Sequence, residues 1–322
     1  DNRRSRGLGD VYKRQNMDWL LVIGGFILLM AGGEIIVQGA VVIAGRMRVP
    51  PLLIGFTVVA IGTSLPELAV SLEAVAGGRP DLAVGGVMGS NVANVMLVLG
   101  TASMLGAASD PGIGVRRDAK AMMMASFALL GAVVLGSIDQ IFGASMLVCL
   151  VGYYGYSYLK SDDDIEIEES WVPNKISLAT IVTIVGGFFI WKGAEFLIQG
   201  ATGIASDMGI SEAVIGLSVV ALGTSLPELA VTIVAGIRGQ GGVAVGNVLG
   251  SNMMNILGIL GATAIIGGGI SINPDFAERD IWVMLLTSGA IAAMLLNGRE
   301  IGRRTGLAMV AGYFFYMAYL YL

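Results

Sequence analysis

Residues 55–70 read GFTVVAIGTSLPELAV, and residues 216–231 read GLSVVALGTSLPELAV. Each copy carries one glutamate, Glu67 or Glu228, inside a long apolar run. A second element recurs in the same order, GGVMGSNVANVMLVLG at 85–100 and GNVLGSNMMNILGILG at 246–261. Equivalent positions of both elements stand 161 residues apart, with no gap across the pair. A duplicated apolar segment, interrupted by proline and carrying a buried carboxylate, is the sequence pointer to the binding site of a secondary transporter.

The composition fits that setting. Of 322 residues, 55% are hydrophobic and only 13% charged, about half the charged share of a soluble domain. The mean hydropathy is +0.78. The chain is therefore an integral membrane protein. Its 48 glycines suit helices that pack backbone to backbone in lipid, where no hydrophobic force drives them together. With no histidine, His-based metal sites and His proton relays are excluded, and the lone Cys149 cannot form an internal disulfide. Residues 1–16 are polar and basic and precede Met17 at the start of the first apolar run, so they read as a disordered or extraneous leader. The run at 19–30 lacks a small-residue cleavage site, which argues against a signal peptide.

Cut at charged and turn-rich breaks, against the ~20 residues a bilayer span needs, the chain divides into ten segments near 18–44, 50–76, 82–107, 120–137, 140–159, 176–204, 211–237, 243–267, 280–297 and 304–322. The repeat then makes 17–159 one five-helix unit and 176–322 the other, joined by an acidic loop at 160–175. Five is odd, so the halves enter the membrane with opposite orientation. The predicted fold is all-α, ten transmembrane helices in two inverted repeats. Loops after odd-numbered segments hold Arg46, Arg48, Arg116, Arg117, Lys120, Lys160, Lys175, Arg238, Arg299, Arg303 and Arg304; those after even-numbered segments hold Arg79 and Arg279. By the positive-inside rule both termini lie outside and the 160–175 loop is cytoplasmic. Its run from Asp162 to Glu169 reads as a solvated acidic linker, since it lacks the spaced ligands and turn glycine of an EF-hand loop.

Within GTSLPE, Pro66 has no N–H for the carbonyl four residues back, so the helix is expected to break near Gly62, and Pro227 does the same near Gly223. Freed carbonyls inside a bilayer must be satisfied, and the half-helix ending near Ala60 turns its negative dipole end toward the break. Thr63 and Ser64 fall four and three residues before Glu67, which puts hydroxyls and carboxylate on one helix face. Each glutamate costs about 2.5–3.5 kcal/mol at a helix centre unless something compensates it. Two carboxylates, four hydroxyls and backbone carbonyls suit a hard cation such as calcium or sodium, and the absence of His and Cys from the motifs disfavours zinc, copper and iron. In GSNVAN and GSNMMN, the pairs Ser90 with Asn94 and Ser251 with Asn255 face the same way, whereas Asn91 and Asn252 point elsewhere and read as helix–helix hydrogen-bonders. A plain packing kink with a protonated glutamate would explain one GTSLPE; two at equivalent register in inverted halves meet at the midplane.

At these motifs the chain resembles the sodium/calcium exchangers of the cation/calcium antiporter superfamily, in their compact prokaryotic form, over essentially all of residues 17–322. The resemblance implies ion ligands at Thr63, Ser64, Glu67, Ser90 and Asn94 in the first repeat and Thr224, Ser225, Glu228, Ser251 and Asn255 in the second, with the carbonyls of Ala60 and Ala221 completing the set. Many relatives, the potassium-dependent branch among them, carry aspartate where this chain has Asn255. Two formal charges instead of three point to a potassium-independent exchanger. The expected activity is antiport of calcium against sodium by alternating access, electrogenic if a third sodium binds as the family implies, in a prokaryotic plasma (inner) membrane.

The ligands expected are the transported Ca2+ and Na+ within a lipid bilayer, with no cofactor, no nucleic acid and no obligatory protein partner. Glu34 and Glu195, in the related patterns GGEIIVQGA and KGAEFLIQGA, read as structural, with Lys192 three residues before Glu195 as its partner. In the family the helices bearing those patterns slide to switch access. Calcium/proton exchange on the same fold is the nearest rival, though its users carry a different motif where this chain has GTS. Magnesium dehydrates reluctantly and prefers fewer protein ligands. A passive channel would not need paired midplane carboxylates. An intramembrane hydrolase would need a base beside Ser64 or Ser225, and neither has a histidine or an adjacent lysine.

Overall fold

The structure, a computed structural model, describes residues 2–106, 108, 114–160, 170–208 and 223–320, without the side chains of 2–16, 206 and 320. Ten helical stretches occupy them. These are α1 (Asn2–Met47), α2a (Pro51–Thr63) with α2b (Leu65–Ala76), α3 (Pro80–Met104), α4 (Val115–Leu135), α5 (Gln140–Leu159), α6 (Ile176–Asp207), α7 (Leu226–Ile237), α8 (Gly241–Ile266), α9 (Asp280–Leu296) and α10 (Arg303–Leu320). Six of them, Met17–Met47 of α1, α3, α4, Ile176–Ala205 of α6, α8 and α9 with its lead-in from Pro274, are long and apolar enough to cross a bilayer, and the bent pair α2a–α2b makes a seventh. The rest are shorter or interrupted by polar residues, such as the four tyrosines of α5 and the arginine pair opening α10.

Two boundaries differ from expectation for physical reasons. Helix α1 extends without a break back to Asn2, through the stretch read as a leader, because 2–16 contain no proline and extending an existing helix costs far less than nucleating one. Helix α4 starts at Val115, five residues ahead of the expected 120, because Arg117 and Asp118 fold into its first turn as a pair instead of staying in the loop. The acidic run at 161–169 lies outside the described residues, as do 209–222, which hold the start of the expected seventh segment.

Contacts between α1 and α6 show how the halves are related. A Cβ at Gly25 would stand 2.7 Å from the Gly193 carbonyl oxygen, and one at Gly193 would stand 2.9 Å from that of Gly25. Gly32 and Gly186 face each other the same way, at 2.8 and 3.0 Å. Gly186 and Gly193 stand 161 residues after Gly25 and Gly32, yet the pairing is exchanged, 25 with 193 and 32 with 186. Only an antiparallel pair related by a two-fold axis perpendicular to both helices gives that pattern. As both helices span the membrane, the axis lies in its plane, and the repeats are inverted. The seven-residue spacing keeps one glycine stripe against the other along the shallow crossing of a heptad-type contact, close enough that only small residues fit.

The same axis passes between α3 and α8. Asn91 Nδ2 donates to the Asn252 carbonyl at 3.4 Å and Asn252 Nδ2 to that of Asn91 at 3.3 Å, a reciprocal bond between equivalent residues that bears out their reading as helix–helix hydrogen-bonders. Around this bond the main apolar core gathers α2a, α3, α4, α5, α8 and α9, with Phe56, Met122, Leu129, Leu249, Met253 and Ile256 fully buried. A second cluster joins α1 and α6 to α2a and α7 through Leu29, Ile36, Val37, Leu53, Ile190 and Val231.

The outer helices are tied by a duplicated device. Arg117 Nε pairs with Asp118 Oδ1 at 2.9 Å, and that oxygen accepts the Tyr153 hydroxyl of α5 at 2.6 Å. Arg279 pairs with Asp280 at 3.1 Å, and Asp280 accepts the Tyr316 hydroxyl of α10 at 3.4 Å. Each cluster fastens the first turn of the fourth helix of its repeat to the fifth.

Candidate functional site

Where the sequence places a break, α2a and α2b meet at 44°. The interruption falls at Ser64 (φ −89°, ψ 7°), two residues later than expected, and Pro66 sits in the first turn of α2b, where its missing N–H is one of the helix's orphan donors anyway. In the second repeat the same interruption falls at Ser225, ahead of α7. The shift matters for Ala60, whose carbonyl is not freed but accepts the Ser64 N–H at 3.0 Å, leaving one lone pair for another partner. Ala221 lies outside the described residues. Wide π-type turns follow the second motif of each repeat, Asn94–Leu99 and Met254–Leu260, as is frequent at functional sites.

The broken helices bring residues of opposite halves together. Ser64 Oγ donates to Glu228 Oε1 at 3.2 Å, and Ser251 Oγ reaches the same oxygen at 3.4 Å. Thr63 Oγ1 lies 3.5 Å from Ser251 Oγ, 3.4 Å from the Ala60 carbonyl and 3.3 Å from Asn247 Oδ1. One hydroxyl proton cannot serve all three. These separations are also long for O–H···O bonds, whose usual length is about 2.7–2.8 Å. Their lengths also fall near the edges of an oxygen shell, since six ligands about 2.4 Å from a hard cation lie about 3.4 Å from one another, whereas a magnesium shell at about 2.0–2.1 Å has edges near 2.9 Å.

Both glutamates are buried, Glu67 at 5% exposure and Glu228 at 0%. Among the described residues Glu67 Oε2, Glu228 Oε2, Asn94 Oδ1, Ser225 Oγ and Asn255 Oδ1 are buried oxygens without a hydrogen-bond partner, a concentration of acceptors that a cation would satisfy. No group of three or more His, Cys, Asp or Glu side chains gathers among the described residues, so the local acid charge is that of two glutamates. Asn255 donates its amide N–H to Asn91 Oδ1 at 3.0 Å, and its own oxygen is buried without a partner among the described residues. Ser90 is buried, and Thr224 is half-buried next to Ser225.

Two polar residues escaped the sequence reading. Asn247 Nδ2 donates to the Glu228 carbonyl at 3.3 Å and to Thr232 Oγ1 at 3.1 Å, and both residues are fully buried. The signal was present, because Asn247 is four residues before Ser251 on one helix face and is the polar difference between GGVMGSN and GNVLGSN. Reading the repeats for identity passed over it. Of the two flanking acids, Glu195 pairs with Lys192 at 2.7 Å as expected, and Glu34 pairs across to Arg238 at 2.7 Å.

A model of the family described as sodium/calcium exchanger protein matches residues 17–159 and 178–322. The chain belongs to that family. The inner membrane protein YrbG of Escherichia coli (strain K12) is 35% identical over 316 residues, covering 94% of this chain and 96% of YrbG. The sodium/calcium exchanger MaX1 of Methanosarcina acetivorans is 28% identical, with 94% of this chain and 97% of MaX1 covered. Among solved structures, the sodium-calcium exchanger NCX_Mj soaked with Na+ and Sr2+ matches with a TM-score of 0.82 at 29% identity, over 94% of this chain and 99% of that one. This member of the family is thus a multi-pass membrane antiporter for calcium and another cation, not an enzyme, built as ten helices in two inverted repeats.

Proposed function

We propose that the second cation is sodium, and that the protein exchanges Na+ for Ca2+ by alternating access, electrogenically and without potassium, at a site formed by Ala60, Thr63, Ser64, Glu67, Ser90 and Asn94 with Ala221, Thr224, Ser225, Glu228, Ser251 and Asn255. The observation that carries this reading is the oxygen shell around Thr63, Ser251 and Glu228, whose spacing fits cations of sodium and calcium size and is too wide for magnesium. Glu67 and Glu228 together balance one Ca2+ or two Na+, so the two ions compete and neither is carried idly. A third sodium, bound mainly by neutral oxygens, moves net charge in each cycle. With Asn255 in place of an acid there is no third carboxylate to favour a potassium ion beside calcium. The family and the alternation of basic loops support a prokaryotic inner membrane with both termini outside.

The test is calcium uptake into proteoliposomes loaded with sodium or with choline, alongside Glu67→Gln and Glu228→Gln. Uptake is expected to need internal sodium, to vanish in both variants and to rise under a potential that draws positive charge the right way. Equal uptake driven by an outward proton gradient in choline overturns sodium coupling, and active variants overturn the site.

A further inference from the structure

The duplicated site is symmetric in its named ligands but not in its surroundings. Position 247 is asparagine, and its equivalent 161 residues earlier is Gly86. Asn247, Ser251 and Asn255 recur every four residues along α8 and line one face, whereas the matching face of α3 offers only Ser90 and Asn94 below Gly86. The orientation of the Asn247 amide is fixed from behind. Its nitrogen has two buried acceptors, the Glu228 carbonyl and Thr232 Oγ1, and reversing the amide would set its oxygen against that carbonyl. Its oxygen is thereby aimed at Thr63 Oγ1, 3.3 Å away, on the same edge spacing as the rest of the shell.

We infer that Asn247 is a specificity-determining residue, whose amide oxygen joins Ala60 O, Thr63 Oγ1, Ser251 Oγ and Glu228 Oε1 in a subsite for a monovalent cation that the first repeat cannot duplicate. This rests on the sodium/calcium reading above. The argument for a monovalent ion is one of charge. Four of these five oxygens are neutral and one belongs to a carboxylate, so the cage balances a single positive charge, whereas a calcium ion needs the charge of both glutamates. Removing the amide oxygen therefore takes one of five oxygens from the monovalent cage and leaves in place both carboxylates, whose charge calcium needs. It also loosens the Glu228 carbonyl, which a structural role alone would share, so the two ions must be measured separately.

The test measures half-saturating Na+ and half-saturating Ca2+ for exchange in proteoliposomes with the unmodified chain, Asn247→Ala, Asn247→Ser and Thr232→Val. Expected is a rise of at least about fivefold in half-saturating Na+ for both Asn247 variants, with half-saturating Ca2+ within about twofold. Thr232→Val keeps the oxygen but removes one of the acceptors that aim it, and should move sodium in the same direction by a smaller factor. Displacement of bound Ca2+ by Na+ in detergent gives the same comparison at equilibrium and does not depend on transport rate. Parallel shifts for both ions, a fall in maximal rate alone, or unchanged sodium dependence overturn the inference while leaving sodium/calcium exchange standing. Absence of sodium-driven uptake in the unmodified chain overturns the exchange reading, and this inference with it.

Discussion

Gly250→Ala adds one methyl group at the joint between α8 and α2a, and its consequence can be followed to the site. The new Cβ would press on the Phe56 carbonyl oxygen and lie 2.6 Å from Phe56 Cα. Unstrained carbon–carbon contacts are about 3.5–4.0 Å, so α2a must move away by about 1 Å. Backbone faces backbone here, and no side chain can rotate to absorb the strain. Phe56 is seven residues before Thr63 on the half-helix that ends at the break, so Thr63 and Ser64 move with it. Their contacts to Ser251 and Glu228, now 3.2–3.5 Å, then stretch past 4 Å. Overpacking of this kind costs about 1–3 kcal/mol of stability. Losing the Ser64 bond to a charged acceptor costs the organised site a further ~1.5–3 kcal/mol, equivalent to about 10- to 150-fold in an equilibrium constant. The assay is Ca2+ uptake in proteoliposomes with thermal unfolding of the same preparation. Gly131→Ala in α4, where a Cβ meets nothing within 4 Å, is the control and should transport normally. Gly250→Ala with unaltered half-saturating Ca2+ and unaltered melting would refute the coupling of this joint to the site.

Other packing and charge features give further expectations. Gly193→Val in α6 would meet Leu29 N at 2.7 Å and the Gly25 carbonyl at 2.9 Å, so it should part α1 from α6, lower the melting temperature and abolish exchange, and wild-type melting would show that the stripe is not close-packed. Asp118→Leu leaves Arg117 and the Tyr153 hydroxyl without their shared buried acceptor and should cost about 3–5 kcal/mol, against about 1 kcal/mol for Tyr153→Phe, both read by denaturation in detergent. Arg238→Gln breaks a pair whose arginine is 53% exposed and should change stability by less than about 1 kcal/mol, so a large loss would mean that Glu34 is tied to something further.

The duplicated motifs were legible because their constraints are local. Proline inside an apolar run forces a break whatever surrounds it, and a carboxylate in that run needs compensation. The i,i+3 and i,i+4 spacing does not carry across that break: Thr63 and Glu67 lie on different half-helices, and the hydroxyls of Thr63 and Ser64 reach Ser251 and Glu228 of the other repeat. The count of helices and their inversion followed from segment length and the odd number per half. What was not legible depends on contacts across the chain. The break moved from Gly62 to Ser64 because two more residues, about half a turn, continue the helix before the interruption, and the sequence cannot weigh that extension. The Arg–Asp–Tyr clusters went unseen because their spacing drifts: Asp280 follows Asp118 by 162 residues and Tyr316 follows Tyr153 by 163, so a search at the motifs' own offset passes them by. Asn247 was missed for the opposite reason, as a difference inside a region read for its sameness.

That difference bears on how an inverted repeat can do directional work. Residues that meet their own copies across the axis, Gly25 with Gly193, Gly32 with Gly186 and Asn91 with Asn252, keep the halves interchangeable, and perfectly interchangeable halves would make the two access states equal in energy. Here the hydroxyl of Ser64 reaches Glu228, while Ser225 Oγ and Glu67 Oε2, the atoms that would make the mirror bond, have no hydrogen-bond partner among the described residues. Asn247 ties Thr63 and Glu228 where Gly86 offers nothing, and Glu34 holds Arg238 where its equivalent Glu195 holds Lys192. One net hydrogen bond, about 0.5–1.5 kcal/mol, shifts a two-state ratio by roughly 2- to 13-fold. A few such contacts present in one half and absent in the other are enough to set which face opens when the site is empty. On the proposed reading the duplicated residues supply the ligands common to both ions, and the unduplicated ones, Asn247 among them, are what can make the two halves unequal.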